Sequence, residues 1–140
     1  MAQAAPFSHE VKVRYIEIDQ QGVVFNMWYL AWFDDAMTAF LEHGGLPYED
    51  MIAAGYDAQL VHTELDWTAP VRWGDRPKVD VSLLSVGTTS FTLQFQVRVE
   101  ETVAVTGRTV YITVATDGTG KREVPPLVRD ALGSPTPESS

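Results

Sequence analysis

Cysteine is absent from the 140-residue sequence. Disulfide bonds, thiolate nucleophiles and zinc sites built on sulfur are therefore excluded. Histidine is scarce, and His9, His43 and His62 lie far apart, without the close spacing of metal ligands. We therefore expect neither a bound metal nor a cofactor.

Basic residues are also few. Ten Lys and Arg stand against nineteen Asp and Glu, which gives a formal net charge of −9. Proteins that bind nucleic acids or anionic membrane surfaces present a basic surface, so neither partner is expected. An anionic small ligand would require a local basic cluster.

Long apolar runs are missing as well. Because no stretch of about 18 apolar residues occurs, we expect no membrane-spanning helix. The first eight residues lack the basic and then apolar layout of a signal peptide, and the simplest expectation is a cytoplasmic protein.

The rest of the composition, 45% hydrophobic and 21% charged, is typical of one globular domain with a substantial core. Both ends are small, polar and rich in proline. We expect a flexible N-terminus over residues 1–8, a single domain over residues 9–130, and a disordered tail over residues 131–140.

One long helix is predicted over residues 28–43. Its polar side chains lie mostly on a narrow stripe formed by Asp34, Thr38 and Glu42, and apolar side chains cover the remainder. Such a helix must be nearly enclosed by other structure. A short second helix is predicted over residues 48–54.

Strands are predicted on both sides of these helices. Val11, Val13 and Tyr15 alternate with polar residues, which predicts a first strand over residues 10–17. Alternation and turn residues predict four more strands, over residues 60–67, 78–86, 90–99 and 103–116. Together these elements predict an α+β fold, in which a curved antiparallel sheet of about five strands wraps around one long helix. Its open edges favour pairing with a second copy of the chain.

The segment from Asp19 to Tyr29 leads into the long helix. It places a carboxylate near the N–H groups of a helix N-terminus, which lack partners inside the helix and carry a partial positive charge. Such donors polarise a carbonyl, so the arrangement suits acyl transfer. The plainer interpretation is that Asp19 caps a turn, although it lies several residues too early to cap a helix that begins at Asn26 or Trp28.

Three segments resemble the hotdog-fold acyl-CoA thioesterases of the 4-hydroxybenzoyl-CoA thioesterase type. They are Asp19-x-x-Gly22-Val23-Val24-Phe25-x-x-x-Tyr29, Gly45-Leu46-Pro47-Tyr48, and Leu65-Asp66-Trp67-x-x-Pro70-x-x-x-Gly74-Asp75. The resemblance covers about residues 10–128. It implies the hotdog fold and the hydrolysis of an acyl thioester carried on coenzyme A or on an acyl-carrier protein.

The resemblance also implies residue roles. Asp19 would attack the thioester carbonyl or activate the attacking water, Gly22 would permit a tight turn, and the backbone N–H of Asn26 would donate to the oxyanion. The site would be shared between two subunits of a homodimer or of a tetramer of dimers. The implied substrate-binding residues are Val24, Phe25 and Tyr29 near the loop, and Leu60, Val61, His62 and Thr63 from the second subunit. The basic residues that help hold the phosphates of coenzyme A in the family match Thr88, Thr89 and Ser90 here, so Lys121 and Arg122 remain as the compact basic pair that could bind phosphates.

Alternatives stay open at this point. Apart from Glu17, Asp19 is the only ionisable catalytic candidate in the loop, and a nucleophile and a general base have the same sequence signature. The second candidate function is a catalytically silent hotdog module that binds acyl thioesters or acts as a structural partner. A hydratase is disfavoured, because it would need a histidine paired with a carboxylate in this loop.

Overall fold

The computed structural model describes residues 7–136. Five antiparallel strands form one sheet in the order β1-β3-β4-β5-β2. The strands are β1 (Phe7–Glu10), β2 (Tyr56–Trp67), β3 (Lys78–Val86), β4 (Ser90–Val99) and β5 (Thr102–Ala115). The helices are α1 (Trp28–His43), α2 (Tyr48–Ala53) and α3 (Pro126–Leu132), and a 3-10 turn covers Tyr15–Glu17. The predicted α+β fold with a five-stranded sheet is confirmed.

The sheet is centred on two consecutive hairpins. In these hairpins Phe95 of β4 lies opposite Val81 of β3 on one side and opposite Gly107 of β5 on the other. Strand β2 returns to pair with β5 along its whole length, from Tyr56 to Trp67. Strands β1 and β2 are therefore the two edges of the sheet.

Helix α1 packs against the sheet through aromatic side chains. The Phe33 ring stacks on Phe95 of β4 with 4.6 Å between ring centroids. The hydroxyl of Tyr111 on β5 donates to Asp34 Oδ1 at 3.2 Å. Gly107 permits this close contact, because a Cβ at that position would overlap the Phe33 ring. The buried residues of the helix are Tyr29, Trp32, Phe33, Ala36, Met37 and Leu41.

The same helix is less enclosed than predicted. Ala31 and Asp35 are exposed, and Trp28, Leu30 and Phe40 are only partly buried. The single chain covers one side of the helix, because one sheet layer has only one concave face to offer. Within residues 7–136, no helix is long and apolar enough to cross a bilayer.

The predicted first strand over residues 10–17 is wrong. Strand β1 ends at Glu10, and the chain turns after Val11, whose N–H donates to the Pro77 carbonyl at 3.0 Å. A local turn then forms in which the Arg14 N–H donates to Glu17 Oε1 at 2.8 Å. Side-chain bonds of this kind compete with a strand, and here they override the alternating pattern.

Secondary structure also extends into both predicted tails. Strand β1 begins at Phe7, and the unpredicted helix α3 runs to Leu132. Helix α3 packs against the end of α1, where Gly44 lies so close to the Ala131 carbonyl that a Cβ would overlap it. The other parts of the predicted tails, residues 1–6 and 137–140, lie outside the described residues.

Candidate active site

The loop that begins at Asp19 is a closed turn. The Asp19 N–H donates to the Val23 carbonyl at 2.9 Å, and the Gly22 N–H donates to the Asp19 carbonyl at 3.0 Å. Gly22 has a φ of +79°. Because that left-handed conformation strains any residue with a side chain, the turn depends on a glycine at this position.

Neighbouring segments hold this loop on both sides. The Val24 N–H donates to the Val71 carbonyl at 2.8 Å, and the Phe25 N–H donates to the Glu17 carbonyl at 2.9 Å. Val23 forms a further antiparallel bridge with Arg72. The segment after β2 and the 3-10 turn therefore fix the loop at the start of α1.

Helix α1 begins without a capping side chain. Met27 occupies the N-cap position, and its side chain makes no capping hydrogen bond. The Trp28 N–H donates to the Phe25 carbonyl at 3.0 Å, whereas the Asn26 N–H has no partner among residues 7–136. Free donors at a helix N-terminus carry partial positive charge, so the Asn26 N–H is available to a negative oxygen.

The Asp19 charge acts on the Tyr29 side chain, in the first turn of this helix. Burial raises the pKa of the Tyr29 hydroxyl, a hydrogen bond with the Val71 backbone lowers it, and the Asp19 charge raises it again. The net effect is a raised pKa, so Tyr29 keeps its proton at neutral pH. The charge of Asp19 can act on Tyr29 in this way only if the two side chains are close.

One carboxylate oxygen of Asp19 accepts a hydrogen bond within the turn, and the other does not. Asp19 Oδ1 accepts the Gln21 N–H at 2.8 Å. Oδ2 has no hydrogen-bond partner in the described part of the chain. Asp19 therefore does cap a turn, as the plainer interpretation held, and this partly buried residue also retains one carboxylate oxygen without a partner in the described part of the chain.

Glu17 is a buried carboxylate that sequence reasoning left without a role. It is 2% exposed. Its Oε2 accepts the indole N–H of Trp32 at 3.2 Å and pairs with the Arg14 guanidinium at 3.2 Å. With its lone pairs satisfied in this way, Glu17 holds the loop against α1. The spacing of Arg14 and Glu17 resembles that of a capping box, which was the one signal in the sequence for this turn.

The implied substrate-binding residues near the loop differ in exposure. Val24 and Tyr29 are buried, whereas Phe25 is exposed. Among these three residues, Phe25 therefore has the side chain that can contact a ligand in the single chain. The buried side chains of Val24 and Tyr29 pack beneath the loop, in the core.

The residues implied to act from a second subunit lie on the edge strand β2. Leu60 is 39% exposed and Val61 is 50% exposed, at a bulge between Leu60 and His62. The His62 ring lies 3.0 Å from Glu64, and Thr63 Oγ1 lies 2.9 Å from Thr109 Oγ1. Within residues 7–136, no hydrogen bond or ring contact joins this strand segment to the Asp19 loop.

Comparison with known proteins identifies the family. A sequence model of the thioesterase-like superfamily matches residues 13–132. The chain belongs to this superfamily. As a member it is a thioester hydrolase, and its sheet wrapped on one long helix is the hotdog fold.

Individual relatives agree with this assignment. The thioesterase is similar to a putative esterase of Aquifex aeolicus, with 27% identity over 78% of this chain and 85% of the relative. It is also similar to a 1,4-dihydroxy-2-naphthoyl-CoA hydrolase of Synechocystis, with 25% identity over 73% of this chain and 75% of the relative. The crystal structure of a hypothetical protein from Thermus thermophilus superposes with a TM-score of 0.84 and 30% identity, covering 89% of this chain and 95% of that one.

The predicted basic pair of the thioesterase lies at the other end of β2 from the Asp19 loop. Lys121 bridges to Val114, which pairs with Asp57 near the start of β2. The Arg122 guanidinium donates to the Lys121 carbonyl at 2.8 Å and to Thr119 Oγ1. Asp57 and Trp67 are ten residues apart, about 33 Å along the strand at about 3.3 Å per residue, so the basic pair lies near one end of β2 and the segment that clamps the loop follows the other end.

The described part of the thioesterase shows no candidate metal centre. No group of three or more His, Asp or Glu side chains within residues 7–136 is arranged to hold a metal ion.

Proposed function

We propose that this thioesterase hydrolyses acyl-CoA thioesters at the junction of the Asp19 loop and α1. The observation that carries the proposal is that one carboxylate oxygen of Asp19 and the N–H of Asn26, seven residues further along the segment that leads into α1, both lack a hydrogen-bond partner within residues 7–136. One group can attack or activate, and the other can stabilise the negative oxygen that forms.

The chemistry requires little beyond these groups. The oxygen of water, or of Asp19 itself, forms a bond to the thioester carbonyl carbon, and the carbonyl oxygen becomes negative. The Asn26 N–H at the helix N-terminus stabilises that oxygen, a contribution typically worth about 3–4 kcal/mol of barrier. The C–S bond then breaks and the thiol leaves with a proton. If Asp19 is the nucleophile, water must afterwards hydrolyse the mixed anhydride.

Coenzyme A is the carrier we favour. A relative of this chain is named as a hydrolase of 1,4-dihydroxy-2-naphthoyl-CoA, and a structure with a TM-score of 0.83 and 22% identity is a gentisyl-coenzyme A thioesterase. The substrates in both names are aromatic acyl groups on coenzyme A. An acyl-carrier protein is the alternative carrier.

Asp19→Asn tests the catalytic proposal. The amide Oδ1 can still accept the Gln21 N–H, so the turn survives while the ionised oxygen is lost. We expect thiol release from a panel of acyl-CoAs to fall by at least about a hundredfold, the scale of a lost principal acid or base. The measurement is the steady-state rate of thiol release.

Asp50→Asn is the matched control, because Asp50 is an exposed aspartate on α2 and its replacement should leave the rate unchanged. Equal rates for Asp19→Asn and the native enzyme would remove Asp19 from the mechanism. Absence of thiol release from every thioester by the native protein would favour the silent binding module. Intact mass spectrometry after rapid quenching separates the two roles, since only a nucleophilic Asp19 adds the mass of the acyl group to the protein.

We also propose that the active enzyme is a dimer paired through the outer edge of β2. That strand is 12 residues long, carries exposed Leu60 and Val61, and has a partner strand on one side only. Pairing of two such edges would bring residues 60–63 of each copy toward the other copy, as the resemblance implies.

A further inference from the structure

A cleft of about 750 Å³ opens between the chain that follows β1 and the turn that precedes β3. Its walls are residues 10–13 and 73–78. The Val11 N–H donates to the Pro77 carbonyl at 3.0 Å and ties the two walls together. A concave site of this size is typical of small-ligand sites, whereas protein partners use broad, flatter surfaces.

The cleft carries positive charge on an acidic protein. Lys12, Arg76 and Lys78 line it, are exposed, and make no ion pair among residues 7–136. With Arg14 and Arg72 beside them, these two short segments hold five of the ten basic residues of the chain. Arg14 is paired with Glu17, but Lys12, Arg76 and Lys78 are not paired within residues 7–136, and cations concentrated in this way attract an anionic ligand against a net charge of −9.

Two acidic side chains also line the cleft, and one of them already accepts a hydrogen bond from the backbone. Asp75 Oδ2 accepts the Arg72 N–H at 2.8 Å and so stabilises the turn. Glu10 lies on β1, directly opposite Lys78. The three free cations therefore outnumber the carboxylates that face the same space.

An aromatic side chain stands beside these cations. The Trp73 indole lines the cleft and is 57% exposed. The Tyr15 ring supports it edge-on, with 5.6 Å between ring centroids. An exposed indole next to Lys and Arg side chains is the combination that binds a nucleotide, because a base stacks on the ring while phosphates pair with the cations.

The cleft is directly connected to the Asp19 loop. Arg72 bridges to Val23 and the Val71 carbonyl accepts the Val24 N–H, so the wall at residues 73–78 continues from the segment that clamps the loop. The cleft wall and the segment that clamps the Asp19 loop are thus consecutive parts of the same chain. The Lys121 and Arg122 pair has no such connection within one chain.

We propose that this cleft, lined by Lys12, Trp73, Arg76 and Lys78, binds the phosphorylated nucleotide of acyl-CoA. The inference rests on the proposed function and adds where the carrier is recognised. The pantetheine arm then runs from the cleft to the Asp19 loop, and the acyl carbonyl arrives at the Asn26 N–H.

The first test is Arg76→Gln combined with Lys78→Gln, assayed with one acyl group on coenzyme A, on pantetheine and on acyl-carrier protein. The KM for acyl-CoA should rise at least about tenfold, the scale of one lost charged hydrogen bond, while kcat and the KM for acyl-pantetheine stay within about twofold. Equal KM changes for both substrates would overturn the proposal. So would a loss confined to acyl-carrier protein, which would make the cleft a protein-docking site.

The second test measures binding without catalysis. Calorimetry with 3′-phospho-ADP should show binding to the native protein, weaker at high salt, and none to the double variant. Trp73→Ala should weaken this binding by at least about fivefold. The same measurement on Lys121→Gln with Arg122→Gln tests the competing pair, and loss of binding there instead would reject the cleft.

The two proposals fail in different ways. If no thioester is hydrolysed but 3′-phospho-ADP binds and the double variant abolishes that binding, the nucleotide site stands and the hydrolase proposal falls. If hydrolysis depends on Asp19 but the nucleotide does not bind in this cleft, only the cleft assignment is wrong.

Discussion

Glu17 shows how a single side chain positions the Asp19 loop. Its carboxylate binds donors from Arg14 and Trp32, and its own carbonyl accepts the Phe25 N–H. A buried carboxylate is tolerated only when such partners replace water. The residue therefore joins Arg14 before the 3-10 turn, the Asp19 loop and α1 at one point.

We predict that Glu17→Gln destabilises the protein. The amide has nearly the same shape, but it loses the charge and turns one NH₂ group toward donors. The free energy of unfolding should fall by about 1–3 kcal/mol, the cost of leaving buried polar groups unsatisfied. Urea unfolding measures it, with the exposed Glu42→Gln as control. An unchanged unfolding midpoint would show that the carboxylate is not needed to hold the loop.

The sequence predicted the residues of the loop better than their surroundings. Asp19, Gly22 and Asn26 stand out because their spacing relative to the helix is local. The burial of Glu17 could not be predicted, since it depends on Trp32, which lies fifteen residues further along the chain. Likewise, the cations of the cleft come from two segments about sixty residues apart, which only the fold brings together.

At the scale of elements, the contact between α1 and β5 depends on a missing side chain. Gly107 faces the Phe33 ring, and that ring is itself stacked on Phe95 with 4.6 Å between the ring centroids. Adding a methyl group in a packed core typically strains its neighbours rather than filling a void.

We predict that Gly107→Ala costs about 1–3 kcal/mol of unfolding free energy through this overlap. Thermal or urea unfolding measures the change. Phe33→Leu in the same background should recover part of the loss, because a smaller side chain leaves room for the new Cβ. If the two substitutions are simply additive, the proposed overlap is not the cause.

Elements with a strong local pattern were predicted well and those held by distant contacts were not. The predicted bounds of α1, β3 and β4 agree with the structure, because each has a clear period and turn residues at its ends. Helix α3 was missed, because its seven residues are stabilised by packing against the end of α1 rather than by their own pattern. Strand β1 was displaced for the same reason, since its place depends on pairing with β3.

At the scale of the whole molecule, the open side of α1 and the outer edge of β2 both favour a second copy. One chain leaves two apolar surfaces incompletely buried. The first is formed by the partly buried Trp28, Leu30 and Phe40, and the second by the exposed Leu60 and Val61. A long edge strand without a partner is prone to pair with another. The proposed dimer pairs the outer edge of β2.

We predict that Val61→Lys converts the dimer to a monomer. A charge at the centre of the paired edge is the device by which natural sheets prevent such pairing. Light scattering coupled to size exclusion measures the mass, and thiol release should fall with it, because each site would lose the wall contributed by residues 60–63. Thr102→Lys adds the same charge at the exposed β4–β5 hairpin and should leave the mass unchanged. A Val61→Lys variant that keeps the native mass would contradict pairing through β2.

The shortness of β1 has a consequence for how assembly stops. Its four residues cover only Lys78 to Val81 of β3, and the Thr136 N–H then binds the Leu83 carbonyl at 2.7 Å further along that strand. At this border the sheet therefore offers only the outer side of the four-residue strand β1, whereas the opposite border offers the outer side of the twelve-residue strand β2. An edge that pairs with the same edge of a second copy is used up by that one contact. Pairing through β2 therefore gives a closed dimer rather than a fibre.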